Sequence, residues 1–172
     1  MMEPNLTIVI MAFNEEENLP VQLERTLTFL QAQGSLWQVV VVNDGSSDRT
    51  GEIADEWATR HPDHITVVHH PTNRGMGAAI RNGYEASKMD WVTQLPADCQ
   101  VDPQVFERFL VERERHDLIL SVYAKRDDGW IRSLLSWGFQ TFIRAALGER
   151  GDFTGTMMFR RELLEQVGAL HG

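Results

Sequence analysis

The sequence predicts an α/β fold, in which a mostly parallel central sheet is flanked by helices within a single domain. Short runs of β-branched and apolar residues recur along residues 6–122, and segments with helical spacing of apolar residues separate them. Strands that alternate with helices in this way form parallel sheets, because each helix carries the chain back across the sheet. At 172 residues, the chain is long enough to bury a sizeable core.

The predicted strands are short and almost entirely apolar, as expected of strands that helices cover on both faces of a sheet. They comprise residues 6–11, 38–42, 65–68, 91–95 and 118–122. The first predicted helix begins at Asn18, has Pro20 in its first turn and ends at Gly34. Later helices are predicted to begin at Asp48, residues 73–75, Pro103 and residue 160.

The last third of the chain has a different character. A predicted helix over residues 130–147 carries tryptophan and phenylalanine, and five basic residues but only three acidic ones lie between Lys125 and Arg150. An amphipathic helix of this kind suits a membrane interface that contains anionic lipid. The alternative is a helix that packs on the sheet and exposes its basic face to solvent.

Composition excludes several classes of protein. The formal net charge of −9 argues against a general nucleic-acid binder. The single cysteine, Cys99, cannot form an internal disulfide. No run of about 18 apolar residues predicts a transmembrane helix, and the N-terminus lacks the pattern of a signal peptide. We therefore expect a cytoplasmic protein.

Polar loops follow the first, second and fourth predicted strands. Because the carboxyl ends of parallel strands share one edge of the sheet, Glu15, Asp44 and Asp98 are expected to converge there. Asp44 could accept a hydrogen bond from a base or a ribose, and the glycine and serines of residues 45–47 permit a tight turn with exposed amides. The chain has neither a glycine-rich dinucleotide fingerprint after its first strand nor a Walker-type loop.

The stretch over residues 90–103 combines a buried strand with a turn that carries Asp98 and Gln100. Carboxylate and amide oxygens suit Mg²⁺ or Mn²⁺ bound to a phosphate. The alternative is a capped turn between a strand and a helix. His69 and His70 are not predicted to bind a metal together, since adjacent strand residues point to opposite faces, and no base partner is evident that would make Cys99 a nucleophile.

Several segments in this order resemble the family-2 glycosyltransferases, especially the dolichyl- and polyprenyl-phosphate mannose synthase-like enzymes. They are residues 7–20, 40–50 and 73–83, the stretch around Asp98, and residues 152–161. The resemblance implies a GT-A, Rossmann-like fold and transfer of a sugar, with inversion, from a UDP- or GDP-sugar to a polyprenyl phosphate. It also implies an Mg²⁺ or Mn²⁺ cofactor and a peripheral location on the inner face of the membrane, reached through residues 130–147.

The resemblance also assigns roles to residues. Those implied to bind the nucleotide sugar are Met11, Phe13, Glu15, Val42, Asp44, Pro96, Ala97 and Asp98. Asp98 would bind the metal with Gln100 as a further ligand, and Asp152 is a candidate catalytic base whose alternative is a turn cap. Those that could bind the acceptor phosphate are Lys125, Arg126 and Arg160. Residues 1–122 would then form the nucleotide-sugar part, and residues 123–172 the acceptor and membrane part.

The chain departs from the family pattern at several positions. Pro96 stands where the first carboxylate of an Asp-x-Asp motif is usual, and Val122 and Met157 stand where arginines are common. Two alternatives therefore stay open: transfer to a hydroxyl of a glycan, glycolipid or polysaccharide, and a non-catalytic nucleotide-binding domain. The sequence ends at Gly172, soon after its last predicted helix begins, so a natural chain that continues further is also an open alternative.

Overall fold

A computed structural model describes residues 5–34, 36–121 and 156–166 of the chain. In chain order its elements are β1 (Leu6–Ala12), α1 (Leu19–Ala32), β2 (Trp37–Asn43), α2 (Thr50–Arg60), β3 (Ile65–His69), α3 (Met76–Glu85), β4 (Trp91–Pro96), a 3₁₀ turn (Pro103–Val105), α4 (Phe106–Glu112), β5 (Leu118–Leu120), β6 (Met157–Arg160) and α5 (Glu162–Gln166). The alternation of strands and helices predicted for the first two thirds of the chain is confirmed.

The described strands form one sheet in the order β3-β2-β1-β4-β6-β5. The first four are parallel to one another, and β6 runs antiparallel to β4. In register, Met11 of β1 lies opposite Val42 of β2 and Pro96 of β4. The carboxyl ends of these three strands therefore lie level, and the polar loops that follow them begin at the same edge. The prediction of a mostly parallel sheet is confirmed.

Helices cover both faces of the sheet, which explains the apolar strands. On one face, Ile8 and Ile10 of β1 are fully buried in a cluster with leucines of α1 and with Phe106. On the other face, Val9 packs in a cluster with Tyr84 of α3. Both faces of β1 are thus removed from water, and this burial is the main source of its stability.

The C-terminal elements differ from the sequence prediction. Residues predicted to begin a helix at position 160 instead complete strand β6, whose Arg160 pairs with Trp91, and the helix begins at Glu162. A strand of four residues has a weak sequence signal, and its pairing with β4 is decided by tertiary contacts rather than by propensity. Strand β5 ends at Leu120, two residues earlier than predicted.

The chain divides into two compact units, Met1–Ile119 with Met157–Gly172, and Leu120–Thr156. Of the second unit the structure describes the two ends, where the Ser121 amide donates a hydrogen bond of 3.0 Å to the Thr156 carbonyl. The predicted helix over residues 130–147 lies outside the described residues, and so do Val122, Lys125, Arg126 and Asp152. Within the part of the chain that is described, no helix is long and apolar enough to cross a membrane.

The packing of α3 on the sheet depends on Gly83, and it can be tested by substitution. A Cβ atom at this position would overlap the Val9 side chain and crowd Val42. We expect Gly83→Ala to lower the free energy of unfolding by about 1–3 kcal/mol, the usual cost of overpacking a core, measured by urea denaturation. Gly77→Ala in the same helix is the control, since nothing lies within 4 Å of its Cβ position. Equal stability of the two variants would contradict this packing.

Candidate active site

A cavity of about 260 Å³ opens at the sheet edge where β1, β2 and β4 end. Seven of the eight residues proposed to bind the nucleotide sugar line it: Met11, Phe13, Glu15, Asp44, Pro96, Ala97 and Asp98. The rest of the lining consists of Ala12 of β1 and, on the side of α3, Asn73, Gly75, Met76 and Ala79. The convergence of Glu15, Asp44 and Asp98 that the loop positions predicted is therefore observed.

Val42 is the exception among these eight residues. Its side chain is fully buried in the cluster between the sheet and α3, and it does not line the cavity. Val42 lies one residue before the end of β2, and the pleat of the strand directs its side chain toward α3 rather than into the cavity. We therefore remove the Val42 side chain from the proposed site.

Asp44 is a buried carboxylate, 4% exposed, that organises the wall of the cavity. Its Oδ1 accepts a hydrogen bond of 2.9 Å from the Arg74 amide, and its Oδ2 accepts one of 2.9 Å from the Gly75 amide. Burial raises the pKa of Asp44, but these amides and the neighbouring His70 outweigh burial and leave the pKa below its ordinary value of 3.8. The carboxylate is ionised at neutral pH. By accepting these two hydrogen bonds, it fixes the backbone of residues 74 and 75.

His70 is a site residue that the sequence analysis missed. Its ring is buried, with Nδ1 2.6 Å from Asp44 Oδ1 and Nε2 2.8 Å from Asn82 Oδ1. The sequence placed it only at the end of the third strand. A polar residue directly after a buried strand was the available signal, but its partners are 26 and 12 residues away.

The loops after β1 and β2 are joined by hydrogen bonds between them. The Ser47 amide donates to Asn14 Oδ1 at 2.8 Å, and the Asn14 amide donates to Ser46 Oγ at 3.0 Å. The Ser46 amide donates to Asn43 Oδ1 at 3.1 Å. The prediction that this turn offers exposed amides is therefore wrong at both serines, because the Ser47 amide is taken by Asn14 of the loop after β1 and the Ser46 amide by Asn43 at the end of β2.

Gly45 allows the loop after β2 to approach the segment before α3. Its φ of +70° lies in the left-handed region, and a Cβ atom there would overlap the backbone of Thr72. Glycine avoids both problems. The position of Asp44 next to residues 74 and 75 thus depends on the adjacent glycine.

Acid should destabilise the fold through Asp44 and Asp48. Burial raises the pKa of Asp48 as well, but bonds from the Thr50 hydroxyl, the Thr50 amide and the Glu16 amide bring it below 3.8. A carboxyl with a lower pKa in the folded state binds protons more readily when unfolded, so its stabilisation is present above 3.8 and is lost as the pH falls through the folded value. We expect these groups to change the midpoint temperature of thermal unfolding little near neutral pH and to lower it once the pH is below about 4. In Asp48→Asn, this decrease in acid should be smaller. An identical acid response of that variant would contradict the assignment.

Asp98 lies on the cavity wall directly after β4. Its Oδ1 accepts a hydrogen bond of 3.0 Å from the Gln100 amide, which closes the turn. Among the described residues, Asp98 Oδ2 has no hydrogen-bond partner. No group of three or more histidine, cysteine, aspartate or glutamate side chains that could hold a metal ion occurs in the described ranges.

The donor set at Asp98 fits a magnesium-like ion that a ligand helps to hold. Mg²⁺ is usually bound through one or two carboxylates and the phosphates of a substrate, with water in the remaining positions. Asp98 can supply one carboxylate, and Gln100, which is exposed, can supply an amide oxygen. Pro96 lines the cavity where the family usually places another carboxylate.

Cys99 follows Asp98 with a positive φ of 60°. Burial raises the pKa of its thiol, and the carboxylates of Asp98 and Glu15 add to this effect, whereas Arg25 opposes it. Since a thiol that stays protonated is a poor nucleophile, these surroundings agree with the expectation that Cys99 is not one.

Arg160 does not lie at this edge of the sheet, which corrects its proposed role in phosphate binding. It pairs with Trp91 at the first residue of β4, places its guanidinium over the Trp91 ring, and forms an ion pair of 2.7 Å with Asp117. Trp91 and Pro96 are five positions apart along β4, a distance of about 16 Å. We therefore remove Arg160 from the proposed acceptor site.

The sequence model of the family described as glycosyl transferase family 2 matches residues 7–168. An undecaprenyl-phosphate 4-deoxy-4-formamido-L-arabinose transferase from Pectobacterium carotovorum is 36% identical over 167 residues, which are 95% of this chain and 51% of that protein. The corresponding transferase from Proteus mirabilis is 30% identical and aligns with 96% of this chain and 52% of its own length. The chain thus spans about half the length of these relatives.

Solved structures support the same fold. A mannosyltransferase from Pyrobaculum calidifontis, in complex with GDP-Man and Mn²⁺, superposes with a TM-score of 0.67 at 23% identity, covering 98% of this chain and 48% of its own. Glucosyl-3-phosphoglycerate synthase from Mycobacterium tuberculosis, in complex with UDP, gives a TM-score of 0.62 at 22% identity, covering 94% and 58%. At these identities, the likeness extends to the fold alone.

Proposed function

The chain belongs to glycosyl transferase family 2, and we propose that it transfers a sugar from a nucleotide-diphosphate sugar to a polyprenyl phosphate, with inversion at the anomeric carbon. The observation that carries this proposal is the cavity at the sheet edge, where Glu15, Asp44 and Asp98 converge. Ligands of open α/β sheets bind at this edge. The names of the relatives described above give undecaprenyl phosphate as the molecule on which they act.

The nucleotide would enter between two exposed apolar side chains that line the cavity. Phe13 is 45% exposed and Met76 is 67% exposed, although both are large hydrophobic residues. An aromatic ring and a thioether offer a flat base favourable contacts on its two faces. Asp44 Oδ2, which accepts one hydrogen bond from within the protein, could accept another from the base or the ribose.

The diphosphate would lie toward Asp98. A divalent cation, Mg²⁺ or Mn²⁺, supplies charge neutralisation for the leaving diphosphate when it is bound. Asp98 would hold the cation with Gln100 as a further ligand. Asp98 therefore fixes the end of the cavity at which the anomeric carbon is presented.

The acceptor chemistry favours a lipid phosphate over a hydroxyl. A phosphate oxygen is an anion at neutral pH and can attack the anomeric carbon directly, while the bond between that carbon and the diphosphate breaks. A hydroxyl acceptor would also require a positioned base to take its proton. Asp152 is the proposed base for that alternative. Lys125 and Arg126 stay proposed contacts of the acceptor phosphate, and residues 130–147 a proposed contact of the inner membrane face.

A transfer assay tests the proposal. The chain is incubated with UDP- and GDP-sugars, Mn²⁺ or Mg²⁺, and either undecaprenyl phosphate or a glycan with free hydroxyls, and the products are identified by mass spectrometry. We expect a glycosyl phosphate lipid that depends on the metal ion. Product on the glycan alone would favour the hydroxyl alternative.

A non-catalytic nucleotide-binding domain is the second candidate, and the position of Pro96 favours it. This proline lines the cavity beside Asp98, where a second carboxylate would strengthen metal binding. Retained nucleotide binding without turnover of any nucleotide sugar would support this candidate over the first.

A further inference from the structure

We propose that His70 is a positioning residue that carries a positive charge: a buried imidazolium that holds Asp44 and, through it, residues 74 and 75 against the cavity. The proposal deepens the proposed function, because it concerns one wall of the cavity assigned to the nucleotide sugar. The hydrogen-bond partners of the ring indicate which of its nitrogens carry protons.

The first ring nitrogen faces a carboxylate. His70 is 6% exposed, and its Nδ1 lies 2.6 Å from Oδ1 of Asp44, which is ionised. An ionised carboxylate can only accept hydrogen bonds. His70 Nδ1 must therefore carry a hydrogen and donate it to Asp44.

The second ring nitrogen faces an amide oxygen whose orientation is fixed from its other side. Asn82 Nδ2 donates a hydrogen bond of 2.8 Å to Glu85 Oε2, which leaves Asn82 Oδ1 facing His70 Nε2 at 2.8 Å. Rotating the amide would place its oxygen against the Glu85 carboxylate, a contact between two acceptors. With the amide in this orientation Nε2 also donates, and a ring that donates from both nitrogens is an imidazolium.

The neighbouring His69 shows the opposite arrangement. Asn43 Oδ1 accepts from the Ser46 amide, so Asn43 Nδ2 faces His69 Nδ1 at 3.1 Å and donates to it. His69 Nε2 lies 3.0 Å from Asp55 Oδ1 and donates there. One acceptor nitrogen and one donor nitrogen describe a neutral ring, so the two adjacent histidines should differ in protonation.

The charge on His70 has a consequence for the cavity. Asp44 shares its carboxylate among His70 and the amides of Arg74 and Gly75, and Gly75 lines the cavity. The imidazolium compensates the charge of Asp44, which lowers the repulsion that an anionic nucleotide would meet from this carboxylate. His70 thus sets both the position and the net charge of this wall.

Nitrogen NMR of the histidine rings in the ligand-free chain tests the charge. At neutral pH we expect His70 to show two protonated ring nitrogens and His69 to show one, with His70→Asn and His69→Gln used to assign the signals. An unprotonated ring nitrogen in His70 would overturn the proposal.

Amide exchange tests the positioning role without any ligand. We expect His70→Leu to speed hydrogen exchange at Arg74 and Gly75 by about tenfold or more, since it removes a hydrogen bond to a charged partner. His70→Asn, whose side-chain amide can still donate to Asp44, should increase the exchange rate less. This variant replaces His70→Leu in the test if the leucine variant does not fold. His69→Gln, which keeps the donor to Asp55, is the matched control and should leave both amides unchanged. Unchanged exchange in a folded His70→Leu, or in His70→Asn if the leucine variant does not fold, would overturn the role.

Nucleotide binding separates this proposal from the proposed function. We expect UDP or GDP to bind His70→Leu about tenfold or more weakly than the parent chain and to bind His69→Gln equally well. If neither nucleotide binds the parent chain while the NMR and exchange results hold, the proposed function fails and the role of His70 toward Asp44 stands. If the nucleotides bind the parent and His70→Leu with equal affinity, the part of His70 in nucleotide binding is refuted.

Discussion

Asp98→Asn should lower the rate of sugar transfer by about 100-fold or more, the scale on which one group that stabilises transition-state charge contributes. Asparagine keeps an oxygen that can accept the hydrogen bond from the Gln100 amide, so the turn is preserved. It lacks the negative charge with which a carboxylate binds a divalent cation. The measurement is the initial rate at saturating nucleotide sugar over a Mn²⁺ titration. Nucleotide affinity should no longer increase when Mn²⁺ is added.

Asp102→Asn provides the matched control for this prediction. Asp102 lies four residues further along and caps the 3₁₀ turn by accepting the Gln104 amide at 2.9 Å. Asparagine caps as well as aspartate, so this variant should keep both its stability and its rate. A rate for Asp98→Asn within a few-fold of the parent would mean that no metal acts through Asp98.

Asp44→Ala should cost about 3–5 kcal/mol of the free energy of unfolding, the range observed when one partner of a buried charge pair is removed. The substitution leaves His70 and the amides of Arg74 and Gly75 without their acceptor. Because Asp44 and Gly75 line the cavity, nucleotide affinity should fall with stability. Urea denaturation and calorimetric titration of the nucleotide measure the two effects.

Asp55→Ala is the control for Asp44→Ala. Asp55 is also paired with a histidine, His69, but its side chain is exposed and the pair is screened by solvent. An exposed pair contributes about 1 kcal/mol or less. If the two variants lose equal stability, the importance that the structure gives to Asp44 is contradicted.

Much of the fold could be predicted because its signals are local. The valine-rich run of β2 and the leucine spacing of α1 each specify one kind of element, and parallel strands place the following loops at one edge. Asp98 could be placed on the site for this reason.

The features that were missed depend on contacts between distant parts of the chain. His70 acquires its role from Asp44 and Asn82, and the amide of Ser47 is taken by Asn14 across two loops. Arg160 was misplaced because the sequence did not predict β6, whose antiparallel pairing carries this residue to the far end of β4. Charge and proximity in the sequence could not reveal these arrangements.

A crystal structure of the chain with Mn²⁺ and UDP or GDP would show whether this cavity binds the nucleotide and its metal ion, because anomalous scattering locates the metal independently of the nucleotide. We expect a base between Phe13 and Met76 and a manganese ion coordinated by Asp98 and the diphosphate. A nucleotide bound away from this cavity, or a metal ion held to the diphosphate without Asp98, would contradict this expectation.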